Sequence, residues 1–166
     1  MIKMVRLDER LIHGQVAIKW SRHLAVDRIV VANDDAARSE LIQQSLLMAA
    51  PPTAKVAIRS VEDAITLLSD PRAGKLSILV VVATPEDLLA VASRVPDIAR
   101  INVGNYGRTA NRVDNAPRPS YGPNLYLYPE EAASLQKVVD TGVPVVVQTT
   151  PEDNPTNLAG VLATRR

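Results

Sequence analysis

"SILVVVATPED", residues 77–87, carries the two halves of a βα unit in one stretch. The run from Ser77 to Ala83 is apolar at consecutive positions rather than at alternate ones, as expected for a strand covered on both faces. Thr84 then supplies a helix N-cap, Pro85 the first helical position, and Glu86 and Asp87 the acids of a first turn. A second continuous run, "VPVVVQ" at 143–148, reads the same way.

Working outward, Val-, Ile- and Leu-rich segments recur at 2–7, 28–32, 55–59, 77–82, 100–103, 125–128 and 143–148. Helical periodicity lies between them. Val16, Ala17, Trp20 and Leu24 share one face of a helix whose other face carries Lys19, Arg22 and a solvated His23. Leu41, Ser45, Met48 and Ala49 form a second stripe, ended by Pro51 and Pro52. Ser60 and Asp63 make a capping arrangement for a helix over 61–69. Tyr128-Pro129-Glu130-Glu131 repeats the helix-start grammar for a helix running to about Asp140. Strands alternating with helices in this way predict an α/β fold. The expected form is a single domain spanning 1–166, with an open, mostly parallel twisted sheet of about six or seven strands and helices on both faces.

Residues 104–124, rich in Gly, Pro and Arg, are too long for a plain connector and are read as a functional loop. Residues 149–166 are read as a C-terminal extension whose final Arg165-Arg166 frays.

Composition excludes several classes. Nineteen basic residues against eighteen acidic ones argue against a general nucleic-acid binder. Without cysteine there is no disulfide framework and no thiolate nucleophile or metal ligand. Lys3, Arg6 and Asp8 interrupt any signal-peptide core. No apolar run approaches the roughly 20 residues that span a bilayer, so a cytoplasmic protein is expected.

In open parallel sheets, ligands gather beyond the carboxyl ends of the strands. After the first strand comes "DERLIHG", 8–14. There His13 enters a helix whose N-terminal N–H groups and Gly14 favour an approaching anion, with Gln15 beside it. Arg10 supplies a guanidinium suited to phosphate. The combination is that of a nucleophilic imidazole within an anion site, suited to phosphoryl transfer. On the residues alone, a histidine near a helix start is most often structural or solvated, and Arg10 is equally readable as a surface partner of Asp8 or Glu9. Asp8 is read as orienting Arg10 or His13, or as making the turn. An Asp8–Glu9–His13 metal site, the basis of a metal-dependent hydrolase, has a single nitrogen ligand. Asp34, after the second strand, is a candidate helix cap or site wall. Gly104, Asn105 and Arg108 are candidates for site wall or partner docking, and Arg112 and Arg118 for a basic rim. "GNYG", 104–107, matches neither a P-loop nor a dinucleotide fingerprint.

At "RLDERLIHGQV", Arg6 to Val16, the chain resembles the IIB component of the mannose/fructose/sorbose-type phosphotransferase system, whose motif it matches without a break. The resemblance continues through "DRIVVANDDAA", "LLMAAPP", "SVEDA", "TPEDLLAV", "INVGN" and "GVPVVVQ", nearly the whole chain. It implies a phosphotransferase in which a partner IIA protein phosphorylates His13 on Nδ1. Phospho-His13 then passes the group to a sugar held by the membrane IIC and IID proteins, with only peripheral membrane contact. It implies that Arg10 steadies the transferring phosphoryl group, and that no metal or nucleotide cofactor takes part. Asp8, Gly14 and Gln15 match the motif as supporting residues. The turn Asn105-Tyr106-Gly107-Arg108 departs from the family's simpler Gly-Gly-Met type. A non-catalytic regulatory or sugar-phosphate-binding module on the same fold is the alternative reading.

Overall fold

The computed structural model describes residues 1–164; the expected fraying of Arg165-Arg166 falls outside them. Seven strands form the main sheet: β1 (Ile2–Asp8), β2 (Arg28–Ala32), β3 (Lys55–Arg59), β4 (Ile78–Val82), β5 (Ile101–Asn105), β8 (Val145–Val147) and β9 (Thr156–Asn157). Their order is β3-β2-β4-β1-β5-β8-β9, parallel throughout except for the antiparallel edge β9. The expected α/β fold with a mostly parallel sheet is present.

β4 is buried at all five positions. Ile78, Val80 and Val82 face one core and Leu79 and Val81 the other, which is why the sequence shows no alternation. Strand polarity and right-handed crossovers then sort the helices. α1 (Gly14–Leu24), α2 (Asp34–Arg38) and α3 (Glu40–Ala49) follow strands that step toward β3, and bury Trp20, Leu24, Ala36 and Leu46 on one face. α4 (Val61–Ser69), α5 (Pro85–Arg94), α6 (Pro129–Asp140) and α7 (Leu158–Ala163) cover the other. β1 and β5 are therefore neighbours whose exits lead to opposite faces. Such a switch point opens a crevice at the strand ends. Asp8 and Asn105 pair across it.

The expected caps are formed: Ser60 Oγ accepts from the N–H of Asp63, and Thr84 Oγ1 from that of Asp87, both at 3.1 Å. Three expectations need correction. The segment 125–128 does not enter the main sheet; β7 (Leu125–Tyr126) pairs with β6 (Ser120–Gly122) in a separate hairpin. β8 occupies the place beside β5, and Leu125 and Leu127 instead plug the core. The stripe on α3 is rotated: Leu41 and Met48 are 76% and 88% exposed, whereas Leu46 is buried. Ser39 caps this helix, and Gln43 Nε2 reaches back to the carbonyls of Ala36 and Ala37, which fixes its rotation. Finally, Gly104 and Asn105 belong to β5 and are buried, so the irregular segment starts at Tyr106. The C-terminal segment adds β9 and α7, whose Leu158 and Leu162 enter the core. No helix among the described residues is long and apolar enough to cross a membrane.

Candidate active site

After an irregularity between Ile2 and Met4, β1 alternates its side chains between the two cores until Arg6 and Asp8. These follow Met4 on the Trp20 face, where apolar residues would be expected. Arg6 is 3% exposed and Asp8 1%. Asp8 then opens a tight turn in which its carbonyl accepts from the N–H of Leu11 at 2.9 Å. Leu11 takes a left-handed φ of 58° and Gly14 one of 47°. Strain of this kind concentrates at functional sites. The turn delivers His13 to the N-cap of α1 with extended backbone and no side-chain capping bond, so its ring is free for another partner.

That partner is Asp8. Its Oδ2 lies 2.9 Å from His13 Nε2 and 3.1 Å from Arg6 Nη2, while Oδ1 accepts from the N–H of Arg10 at 3.1 Å. Burial pushes the Asp8 carboxyl up, but the hydrogen bond with His13, the charge of Arg6 and the remaining contacts outweigh it, and its pKa falls below the ordinary value. An ionised Asp8 accepts a hydrogen bond from Nε2–H and so leaves the lone pair on Nδ1.

Arg6 is held from several directions. Nη1 donates to Asn102 Oδ1 and, at 3.2 Å, to the carbonyl of Gln148. The guanidinium carbon lies 5.6 Å from the centre of the Trp20 ring, whose Nε1 donates to the carbonyl of Thr149 at 2.9 Å. Gly104 lies against the same guanidinium, which would overlap any Cβ placed there. Burial lowers the Arg6 pKa, Asp8 pulls it back, and nearby Arg10 lowers it again.

Not all of the other expected residues join this core. The Arg10 side chain is exposed and makes no hydrogen bond or ion pair among the described residues. Gly14 and Gln15 are exposed on the first turn of α1. Glu9 turns away from Asp8: its carboxylate accepts from the backbone N–H groups of Gly107, Arg108, Thr109 and Ala110 at 3.1–3.2 Å. Asp8, Glu9 and His13 therefore do not converge as a metal-binding triad would require. Asp34 Oδ1 accepts from the N–H of Val61 at 2.9 Å, pinning α4 two strands away from β1; it is not a wall of the His13 site. Gly104 and Asn105 form the floor rather than a docking rim.

The basic rim is likewise corrected. Arg108 folds back to the carbonyl of Pro123 and over the ring of Tyr126. Arg118 is 5% exposed at its side chain and pairs with Glu131 at 2.9 Å, with its guanidinium 4.2 Å from the Tyr128 ring centre. Glu131 also accepts from the Tyr106 hydroxyl and the N–H of Tyr128. Burial raises the Glu131 pKa, but Arg118, Tyr106 and Tyr128 bring it below normal. Burial and the Glu131 carboxylate raise that of Tyr106. The loop is thus clamped at both ends.

Sequence reasoning passed over Arg6, Asn102 and Trp20 as site residues. The available signal was an arginine and an aspartate at alternate positions of a strand otherwise apolar on that face.

Comparison with known proteins identifies the family. A family model described as the PTS system sorbose subfamily IIB component matches residues 2–166. The chain is 45% identical over 139 residues to "Probable phosphotransferase enzyme IIB component" of Streptococcus pyogenes serotype M6, covering 84% of this chain and 85% of that protein. It is 29% identical over 118 residues to the mannose-specific EIIAB component of Escherichia coli K12, covering 70% of this chain and 36% of that one. Among solved structures, the IIBSor domain of the sorbose permease from Klebsiella pneumoniae superposes with a TM-score of 0.86 at 26% identity. The match covers 99% of this chain and 98% of that domain. The chain therefore belongs to the sorbose-subfamily IIB components of the phosphotransferase system and is a phosphotransfer component of sugar transport.

Proposed function

We propose that Nδ1 of His13 is the phosphoryl acceptor, and that the chain acts as a protein-Nπ-phosphohistidine–sugar phosphotransferase on the cytoplasmic side of a membrane transporter. The observation that carries this reading is the 2.9 Å contact between His13 Nε2 and Asp8, which commits one ring nitrogen and leaves the other to react. The donor is the phosphohistidine of a IIA protein. The Nδ1 lone pair attacks phosphorus as the donor's N–P bond breaks. A sugar hydroxyl presented by the IIC and IID components then attacks phospho-His13; the second N–P bond breaks, and the hydroxyl proton passes to solvent. Both N–P bonds of the first step are alike, so positioning and charge stabilisation govern its rate. The mannose-specific relative named EIIAB supports a IIA partner.

Arg10 is the group assigned to steady the transferring phosphoryl group, since its exposed, uncommitted guanidinium sits three residues from His13 on the same turn. Gly14 and Gln15 lie where the first N–H groups of α1 face an incoming anion.

Supplying IIA, its upstream donors and phosphoenolpyruvate tests the reading. An acid-labile, base-stable phosphoryl group on His13 is expected; labelling that persists in His13→Ala overturns it. Arg10→Ala should slow transfer without altering the melting transition, and an unchanged rate removes the role assigned to Arg10.

A further inference from the structure

We propose that Arg6 is a positioning residue for phosphoryl transfer: it locks the Asp8 carboxylate against His13 Nε2, so that only Nδ1 presents a lone pair. The inference rests on the reading of His13 as phosphoacceptor and extends it to a residue that never meets the phosphoryl group.

Three costs accepted at one place argue for it. A buried guanidinium must be desolvated, and an apolar side chain at position 6 would continue the face begun by Met4 without that penalty. Asn102, fully buried, gives its Oδ1 to Arg6 while its Nδ2 finds no partner among the described residues. Position 104 does without a side chain, in the middle of a strand where glycine is unfavourable, because the guanidinium occupies that volume. Such concentrated violations of packing preference belong to functional sites.

The geometry says what the arrangement accomplishes. Nη1 is fixed by Asn102 and Gln148 on one side, and Nη2 reaches Asp8 Oδ2, the same oxygen that faces His13. The carboxylate has little rotational freedom, since Oδ1 is tied to the N–H of Arg10. Arg6 also draws on the charge of the carboxylate. The direct partner of His13 sets its tautomer, and the next residue outward sets the direct partner.

Nitrogen-15 NMR of labelled His13 reads the tautomer without any phosphoryl donor, and quenched-flow labelling by phospho-IIA reads the rate. In Arg6→Gln the Nε2–H tautomer should lose its dominance, and transfer should slow by about 10- to 100-fold. Arg6→Lys, which keeps the charge but not the fork, should recover part of both. Gly104→Ala displaces the guanidinium without removing it, and should shift both readouts in the same direction. It serves as the test if Arg6→Gln does not fold. A folded Arg6→Gln or Gly104→Ala protein with unaltered tautomer and rate overturns the proposal. If wild-type protein takes no phosphoryl group on His13, the reading of the site fails instead, and the tautomer populations still decide the role of Arg6.

Discussion

Asp8 and Glu9 are consecutive, yet their carboxylates serve opposite sides of the same turn. Asp8 points into the sheet, toward His13 and Arg6, and Glu9 outward, into the four N–H groups of residues 107–110. The His13 turn and the long loop are thereby joined by one residue, and each carboxylate can be removed separately.

Asp8→Asn should lower the rate of His13 labelling by about 100- to 10,000-fold with little change in fold. The neutral amide has one acceptor for three donors: an oxygen in the place of Oδ2 sets its NH2 against the N–H of Arg10, and an NH2 there opposes Arg6 and reverses the His13 tautomer. Single-turnover labelling measures it; a rate within a factor of three of wild type would remove the orienting role.

Glu9→Gln should free the loop. One carbonyl oxygen replaces a charged pair of acceptors, at a cost of about 1–3 kcal/mol. Amide hydrogen exchange at Gly107 to Ala110 should accelerate, while that of β4 stays slow. Uniform acceleration across the sheet would contradict a local tether.

Arg118→Ala should cost about 3–5 kcal/mol, because it strands the Glu131 carboxylate beneath the loop. Denaturant melts give the loss. Limited proteolysis should then cut within residues 107–119; a melt like that of wild type would place Arg118 among ordinary surface charges.

Acid and alkali should act on stability through different carboxylates. Asp8 and Glu131 titrate below their normal values. Their contribution is complete above the usual carboxylate range and is lost as pH falls through the folded-state pKa. Asp87 is pushed the other way, to about 6, by burial and by Asp34, Glu86 and Asp35, against the pull of Thr84. Its cost is absent in acid and grows as pH rises through about 6. Asp87→Asn should therefore raise stability at pH near 7.5 by on the order of 1 kcal/mol after solvent screening, and by almost nothing near pH 4. Calorimetry at the two pH values decides; an equal gain at both would mean that ionisation is not the cause.

The two faces of α3 should differ sharply. Leu46→Ala should cost about 2–5 kcal/mol, whereas Met48→Gln should stay within roughly 0.5 kcal/mol. Thermal melts of the two variants check this rotation of the helix.

The fold was legible where chemistry is local. Runs such as 78–82 and caps such as Thr84 and Ser60 declare themselves within a few residues, and strands with helices between them leave few topologies. The placement of α3 was not legible, since its periodicity admits two rotations and the choice is made by Gln43 reaching across to α2. The segment 125–128 has the composition of a sheet strand, but its neighbour in space is Tyr106, reached only after 106–119 has folded. At the site, the His13 turn could be found from its own eleven-residue motif. Its support could not: Asn102, Gly104 and Gln148 meet Arg6 across 96 to 142 residues of chain, a separation that leaves no local spacing to read.

β1 lies in the middle of the sheet, laddered to β4 on one side and β5 on the other. Edge elements of a domain open in small, frequent fluctuations, whereas a central strand is released only with the whole. Heat inactivation of this protein and its cooperative melting should consequently fall on one curve. Asp8, the partner of the His13 ring, closes the last strand of the molecule to let go.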